Sequence, residues 1–266
     1  MEKDILIPLL LTLFAGLSTC IGSIIVFFTN RTNKKILSFS LGLSAGVMIY
    51  VSFVELFMQS QQIFISEFGI NSGMLFTNIA FFTGMIFIGI IDKLVPSAEN
   101  PHEIKVVEDI NKEVSNKKLM RIGIIAALAI GIHNFPEGIA TFVAASEAPK
   151  LGVAIAIAIA IHNIPEGTAV AIPVYQATGN KLKAFLYSLL SGIAEPIGAL
   201  LAYFILSPFM SQTLLGGILA FVAGIMIFIS LDELLPAARE YGEHHLSIYG
   251  LLIGMLIIAS SLIILA

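Results

Sequence analysis

Apolar runs of about 20 residues follow one another along nearly the whole chain of 266 residues, and no water-soluble core could absorb them. Charged residues make up only 12% of the sequence against 57% hydrophobic ones, and the mean hydropathy is +0.95. A soluble globule carries roughly 25% charged residues, so this chain could not cover its own surface in water. It reads as an integral membrane protein with the lipid bilayer as its surroundings. Runs such as Ile5 to Phe28 lack the alternation with polar residues that a barrel strand requires, which leaves α-helices as the spanning elements. The Ala/Ile alternation from Ala154 to Ala160 is apolar at both phases. On a helix it stacks Ala154 under Ala158 and Ala156 under Ala160, small residues that permit close packing.

Eight helical spans are expected, at about 5–28, 36–58, 72–92, 121–145, 151–175, 183–206, 212–235 and 246–265, in a single membrane domain covering 1–266. The opening Glu2, Lys3 and Asp4 are unlike the positive start of a secretory signal, so the first run reads as a span. Twelve of the fourteen Lys and Arg residues fall in the loops after spans 1, 3, 5 and 7, leaving Lys3 and Lys150 on the other side. The positive-inside rule then puts those four loops in the cytoplasm and both termini outside it. The longest connection, 93–120, reads as a polar cytoplasmic loop and carries His102. A net charge of −4 with no basic face argues against nucleic acid as a partner. Cys20 is the only cysteine, which excludes an intrachain disulfide and any zinc site built on several thiolates; it reads as a buried structural thiol.

The chain repeats itself. Residues Ala45 to Leu56 (AGVMIYVSFVEL) align without gaps to Ala223 to Leu234 (AGIMIFISLDEL), pairing span 2 with span 7. Span 7 comes five spans after span 2, an odd step, so the copies cross the membrane in opposite directions. A second duplication is shorter and more polar: His133-Asn134-Phe135-Pro136-Glu137-Gly138 in span 4 and His162-Asn163-Ile164-Pro165-Glu166-Gly167 in span 5. Inverted repeats with interrupted helices at their interface are characteristic of secondary transporters.

Ionisable residues in mid-membrane are expensive, and the same exception made twice asks for one explanation. His133 and Glu137 are four apart, one turn from each other on one helix face, with Asn134 at its border; His162, Asn163 and Glu166 repeat the arrangement. Pro136 and Pro165 are expected to kink their helices and free backbone carbonyls beside these faces. Packed together, the faces offer two imidazoles, two carboxylates and two amide oxygens, a donor set suited to a divalent transition metal such as zinc, iron or manganese. Two carboxylates brought close would repel, and a cation neutralises them. Glu195, followed by Pro196 in the middle of span 6, is the third candidate carboxylate, with Ser188 and Ser191 on the same span as residues that line a path or bond to their own helix. A single polar residue of this kind is often a structural contact between helices; the duplicated phrase with Glu195 is read as functional. Glu55 and Glu233 fall near span ends and suit either interfacial anchors or gates, Asp92 and Asp232 suit the interface, and His244 and His245 suit a solvated loop, with capture of a departing ion as the alternative.

At this point the chain resembles the ZIP (Zrt/Irt-like) family of divalent metal transporters, most like its bacterial ZupT-type members. The resemblance rests on the paired His-Asn-x-Pro-Glu-Gly phrases, the acid-proline of span 6, the span count and the long third loop. It implies spans arranged as three, two and three, and a binuclear centre between spans 4 and 5. Carried onto this sequence, His133, Glu137, His162 and Glu166 would hold one ion, and Asn134, Glu137, Asn163, Glu166 and Glu195 the other. It also implies a ligand from span 2, for which Met48, Ser52 and Glu55 all qualify. The loop lacks the histidine-rich stretch of many members. The expected function is import of zinc, with iron, manganese or cobalt also accepted, across the plasma membrane into the cytoplasm, with the ion as substrate and no prosthetic group. A metal-selective channel is one rival. A membrane metalloenzyme is another, although neither His-Glu-x-x-His nor the Glu-x-x-His of di-iron bundles occurs within the spans. The sequence leaves a homodimer open.

Overall fold

A computed structural model describes residues 5–28, 34–94, 116–240 and 244–265. Among them are eight helices long and apolar enough to cross a membrane, and no strand. They are span 1 (Leu6–Phe28), span 2 (Lys35–Phe68), span 3 (Ile70–Leu94), span 4 (Leu119–Glu147), span 5 (Pro149–Thr178), span 6 (Lys181–Leu206), span 7 (Gln212–Arg239) and span 8 (His245–Ile264). The protein is thus an all-α, multi-pass membrane protein. Most of the connection expected at 93–120, including His102, lies outside the described residues, as do Glu243 and the side chain of His244.

Six spans match their expected bounds to within three residues, but spans 2 and 7 run further. Span 2 continues through Gln59, Ser60, Gln61, Gln62, Ser66 and Glu67, where hydropathy drops while helix-forming residues persist. The extension is anchored by Ser60 Oγ, which donates to the carbonyl of Gly216 at 2.7 Å, and by Phe64, whose ring lies 6.0 Å from that of Phe76. Gly69, with φ of 80°, ends it. Glu55 and Glu233 therefore do not stand near helix ends: they lie thirteen residues before Phe68 and six before Arg239.

Span 5 is the most enclosed helix, with 72% of its apolar window buried, and span 7 follows at 67%; spans 3 and 8, at 22% each, expose Phe82, Phe87, Leu252 and Leu256 on the outer surface. Spans 4 and 5 pack against each other. Span 1 packs on 5 and 6, span 4 on 6, span 2 on 8 and 5, and span 3 on 7. Glycines let these backbones touch. Gly46 abuts the Leu251 carbonyl and Gly224 that of Phe81; Gly22 abuts Ile164 and Gly198 abuts Phe135; Gly167 abuts Thr19 and Gly138 abuts Glu195; Gly16 and Gly192 abut each other. Exchanging span 1 with 6, 2 with 7, 3 with 8 and 4 with 5 carries every one of these contacts onto another in the same set.

Candidate metal centre

Spans 4 and 5 are joined at Ala148, which is extended at φ −138° and ψ 93°, with Pro149 opening span 5 where a helix needs no backbone N–H. His133 lies at the midpoint of span 4, and His162 and Glu195 lie within two residues of the midpoints of spans 5 and 6. The helices run through Pro136 and Pro165 without a break. Among these three spans the interruption falls in span 6, at Ile193 between Lys181–Gly192 and Ala194–Leu201, immediately before Glu195-Pro196.

His133, Asn134, Glu137, His162, Asn163, Glu166 and Glu195 are all buried. His133 Nε2 is hydrogen-bonded to Glu166 Oε1 at 2.7 Å. His162 Nε2 lies 2.7 Å from the same oxygen but is not aligned as a hydrogen bond. One ligand atom from each of these three residues falls within 4.8 Å of the other two, making them the one group of three or more His, Cys, Asp or Glu among the described residues able to hold an ion together. Tetrahedral ligands about 2.1 Å from zinc stand about 3.4 Å apart, so the trio is close to the required size. Glu137, expected in the same set, is not in this group.

The two asparagines point the other way round. Asn163 Nδ2 donates to the Ala15 carbonyl at 3.0 Å and to Glu195 Oε1, and Asn134 Nδ2 reaches the Ser191 carbonyl at 3.4 Å. With their amide nitrogens engaged by spans 1 and 6, both expose an oxygen. Asn134 Oδ1, both oxygens of Glu137, Asn163 Oδ1, Glu166 Oε2 and Glu195 Oε2 are buried acceptors with no hydrogen-bond donor. Leaving such groups unsatisfied costs several kcal/mol for a buried charge, and a cation is what offsets it. Imidazoles of this kind suit zinc or iron, and the carboxylate and amide oxygens suit zinc as well as harder ions such as manganese.

Span 2 reaches the centre as well. Ser44, Met48 and Ser52, one turn apart on one face, are fully buried, while Glu55 is half-buried. Ser44 Oγ lies 2.7 Å from His162 Nδ1. Sequence reasoning missed Ser44; its spacing of four from Met48, already a candidate, was the available signal. Glu55 and Glu233 both lie in wide π-helical turns, Ser52–Phe57 and Ser230–Leu234, which begin at paired positions of the repeat. Glu233 is 8% exposed and within electrostatic reach of His133 and Glu137. The two serines of span 6 differ: Ser191 bonds to its own helix at Ser188, whereas Ser188 donates across to the Gly167 carbonyl at 3.0 Å. Asp232 is exposed and Asp92 half-buried, Cys20 is buried, and His245 stacks on Tyr249.

Known proteins give this geometry a context. Residues 93–261 match a family model described as ZIP Zinc transporter. A "Zinc transporter ZupT" of Lysinibacillus sphaericus is 58% identical, with 100% of each chain covered. Proteins of that name from Streptococcus mutans and Oceanobacillus iheyensis are 56% and 57% identical, with 99% of each chain covered. Likeness of this extent takes in both polar phrases, every span and the acid of span 6: the chain belongs to the ZIP family, whose members are transporters and not enzymes.

Proposed function

We propose that this protein carries zinc across the plasma membrane into the cytoplasm through a two-ion centre at mid-membrane, with iron, manganese or cobalt as further substrates. The observation that carries this reading is the set of six buried, donorless oxygens beside two imidazoles, on helices that cross in opposite directions. One ion takes His133, His162 and Glu166 with Glu137 joining; the second takes Asn134, Glu137, Asn163, Glu166 and Glu195. Met48 or Ser52 completes the first from span 2, and Glu55 and Glu233 act as gates. The printed names of the relatives support zinc as the cargo.

The matched glycine contacts support two inverted three-span repeats, 1–3 and 6–8, flanking the inverted pair 4 and 5. In this arrangement the span 4 and 5 pair moves the centre between an outside-open and a cytoplasm-open state, as in other carriers with inverted repeats. The asymmetry of basic residues supports an orientation with both termini outside and the long loop in the cytoplasm.

Purified protein in liposomes tests the reading. Zinc influx should saturate with concentration, and Glu137→Ala should lower it at least about tenfold, since loss of a buried charged ligand costs more than 1.4 kcal/mol. Linear influx would indicate a channel, and undiminished influx in the variant would remove Glu137 from the centre. Acidification should also slow uptake: ligands bind as neutral imidazole and ionised carboxylate, so protons compete with the ion as external pH falls. Zinc influx measured from pH 7.5 to 5.5 checks the sign, and a flat profile contradicts it.

A further inference from the structure

The two histidines occupy equivalent places in the repeated phrase, yet their surroundings differ. His133 uses Nε2 to bond Glu166, while His162 brings Nε2 to the same oxygen out of hydrogen-bond alignment and has its other nitrogen, Nδ1, 2.7 Å from Ser44 Oγ. Ser44 is fully buried. The repeat alignment puts Val222 where span 2 has Ser44, and valine has no group to offer the other imidazole. The hydrogen bond is therefore a feature of one half of the centre alone.

A neutral imidazole carries one proton, and the nitrogen that holds it cannot bind a metal. A serine hydroxyl can donate to Nδ1 or accept from it; when Nδ1 donates to Ser44 Oγ, the lone pair is left on Nε2, the atom 2.7 Å from Glu166 Oε1. The misaligned approach of Nε2 to Glu166 fits a nitrogen that is not donating a proton there. We propose that Ser44 is a positioning residue for metal binding: it accepts the Nδ1 proton of His162, fixes ring and tautomer, and so presents Nε2 to the ion. This rests on the metal-centre reading above. It also gives span 2 a hold on the centre distinct from any ligand supplied by Met48 or Ser52.

Losing an outer hydrogen bond of this kind typically costs 10- to 100-fold in metal affinity. The test is zinc titration of the detergent-purified full chain against a chromophoric chelator, using wild type, Ser44→Ala, Ser44→Thr, His162→Ala and the Ser44→Ala/His162→Ala pair. Ser44→Ala should raise the zinc Kd about 10- to 100-fold. Ser44→Thr, which keeps the hydroxyl, should restore most of the affinity, and Ser44→Ala should have no further effect once His162 is alanine. The proposal is overturned if Ser44→Ala binds zinc as wild type does while His162→Ala is weakened, or if the Ser44 effect persists undiminished without His162. Should His162→Ala itself leave the Kd unchanged, the metal-centre reading fails along with it.

Discussion

Replacing Glu166 by glutamine is expected to lower zinc influx and zinc affinity by two to three orders of magnitude, the largest functional loss of any single change in this chain. Its Oε1 is the atom on which both imidazoles converge at 2.7 Å, and its Oε2 is buried with no donor. In the proposed centre one carboxylate thus serves two ions, and its removal leaves two divalent cations in a cavity emptied of half their shared countercharge. Breaking a buried charge pair by deleting one member costs about 3–5 kcal/mol, which corresponds to roughly 10²- to 10³-fold or more. Glutamine preserves the shape and the helix, so the variant should fold and insert normally, and thermal stability without zinc should be close to that of wild type. Glu55→Gln is the natural comparison. Half-buried and on span 2, a gate there changes the rate by far less than a shared ligand does. Influx into liposomes and chelator competition measure both quantities. Equal loss in the two variants would mean that Glu166 is one polar residue of a pathway and not its centre.

How far such a centre can be read from sequence depends on which side chains carry it. Eight spans were legible because hydrophobic length is nearly all that a bilayer requires. The end of span 2 was not, because Gln59 to Glu67 lose hydropathy without losing helix propensity, and Ser60 and Phe64 are buried by neighbours the sequence does not reveal. That error displaced Glu55 to a span end, and the shorter expected end of span 7 did the same to Glu233. The candidate ligands His133, Glu137, His162 and Glu166 stood out in the sequence because they are ionisable in apolar surroundings, and the structure buries all four. Ser44 was not, since serine is common in membrane helices and its value lies in one hydrogen bond across 118 positions of sequence. The repeat was half legible. Spans 2 and 7 still share letters, whereas spans 1 and 6 correspond through little more than Gly16 with Gly192 and Gly22 with Gly198. What persists there is the close approach of backbones, which constrains only the residues that must lack a side chain.

Those glycines carry the second large prediction. In Gly224→Val the new side chain meets the backbone carbonyl of Phe81 on span 3, a group held in its own helix that cannot rotate away. Spans 3 and 7 must separate along the whole contact, losing packing on both sides, and the expected cost is about 3 kcal/mol or more, the upper end of what overpacking does in a well-filled core. Gly217→Val, on the same helix, enters open space and should be neutral or slightly stabilising, because glycine is a poor helix former. If the two three-span repeats are equivalent, Gly46→Val should behave like Gly224→Val, since Gly46 meets the Leu251 carbonyl of span 8 in the same way. Unfolding of the detergent-solubilised variants by heat or by graded denaturing detergent gives the ranking. The equivalence predicts matched losses for Gly46 and Gly224 with Gly217 unaffected. A severe Gly224 variant beside a mild Gly46 one would mean that span 8 yields where span 3 does not. The outer helices would then have different tasks, span 3 as fixed frame and span 8 as the side able to give way when the centre moves.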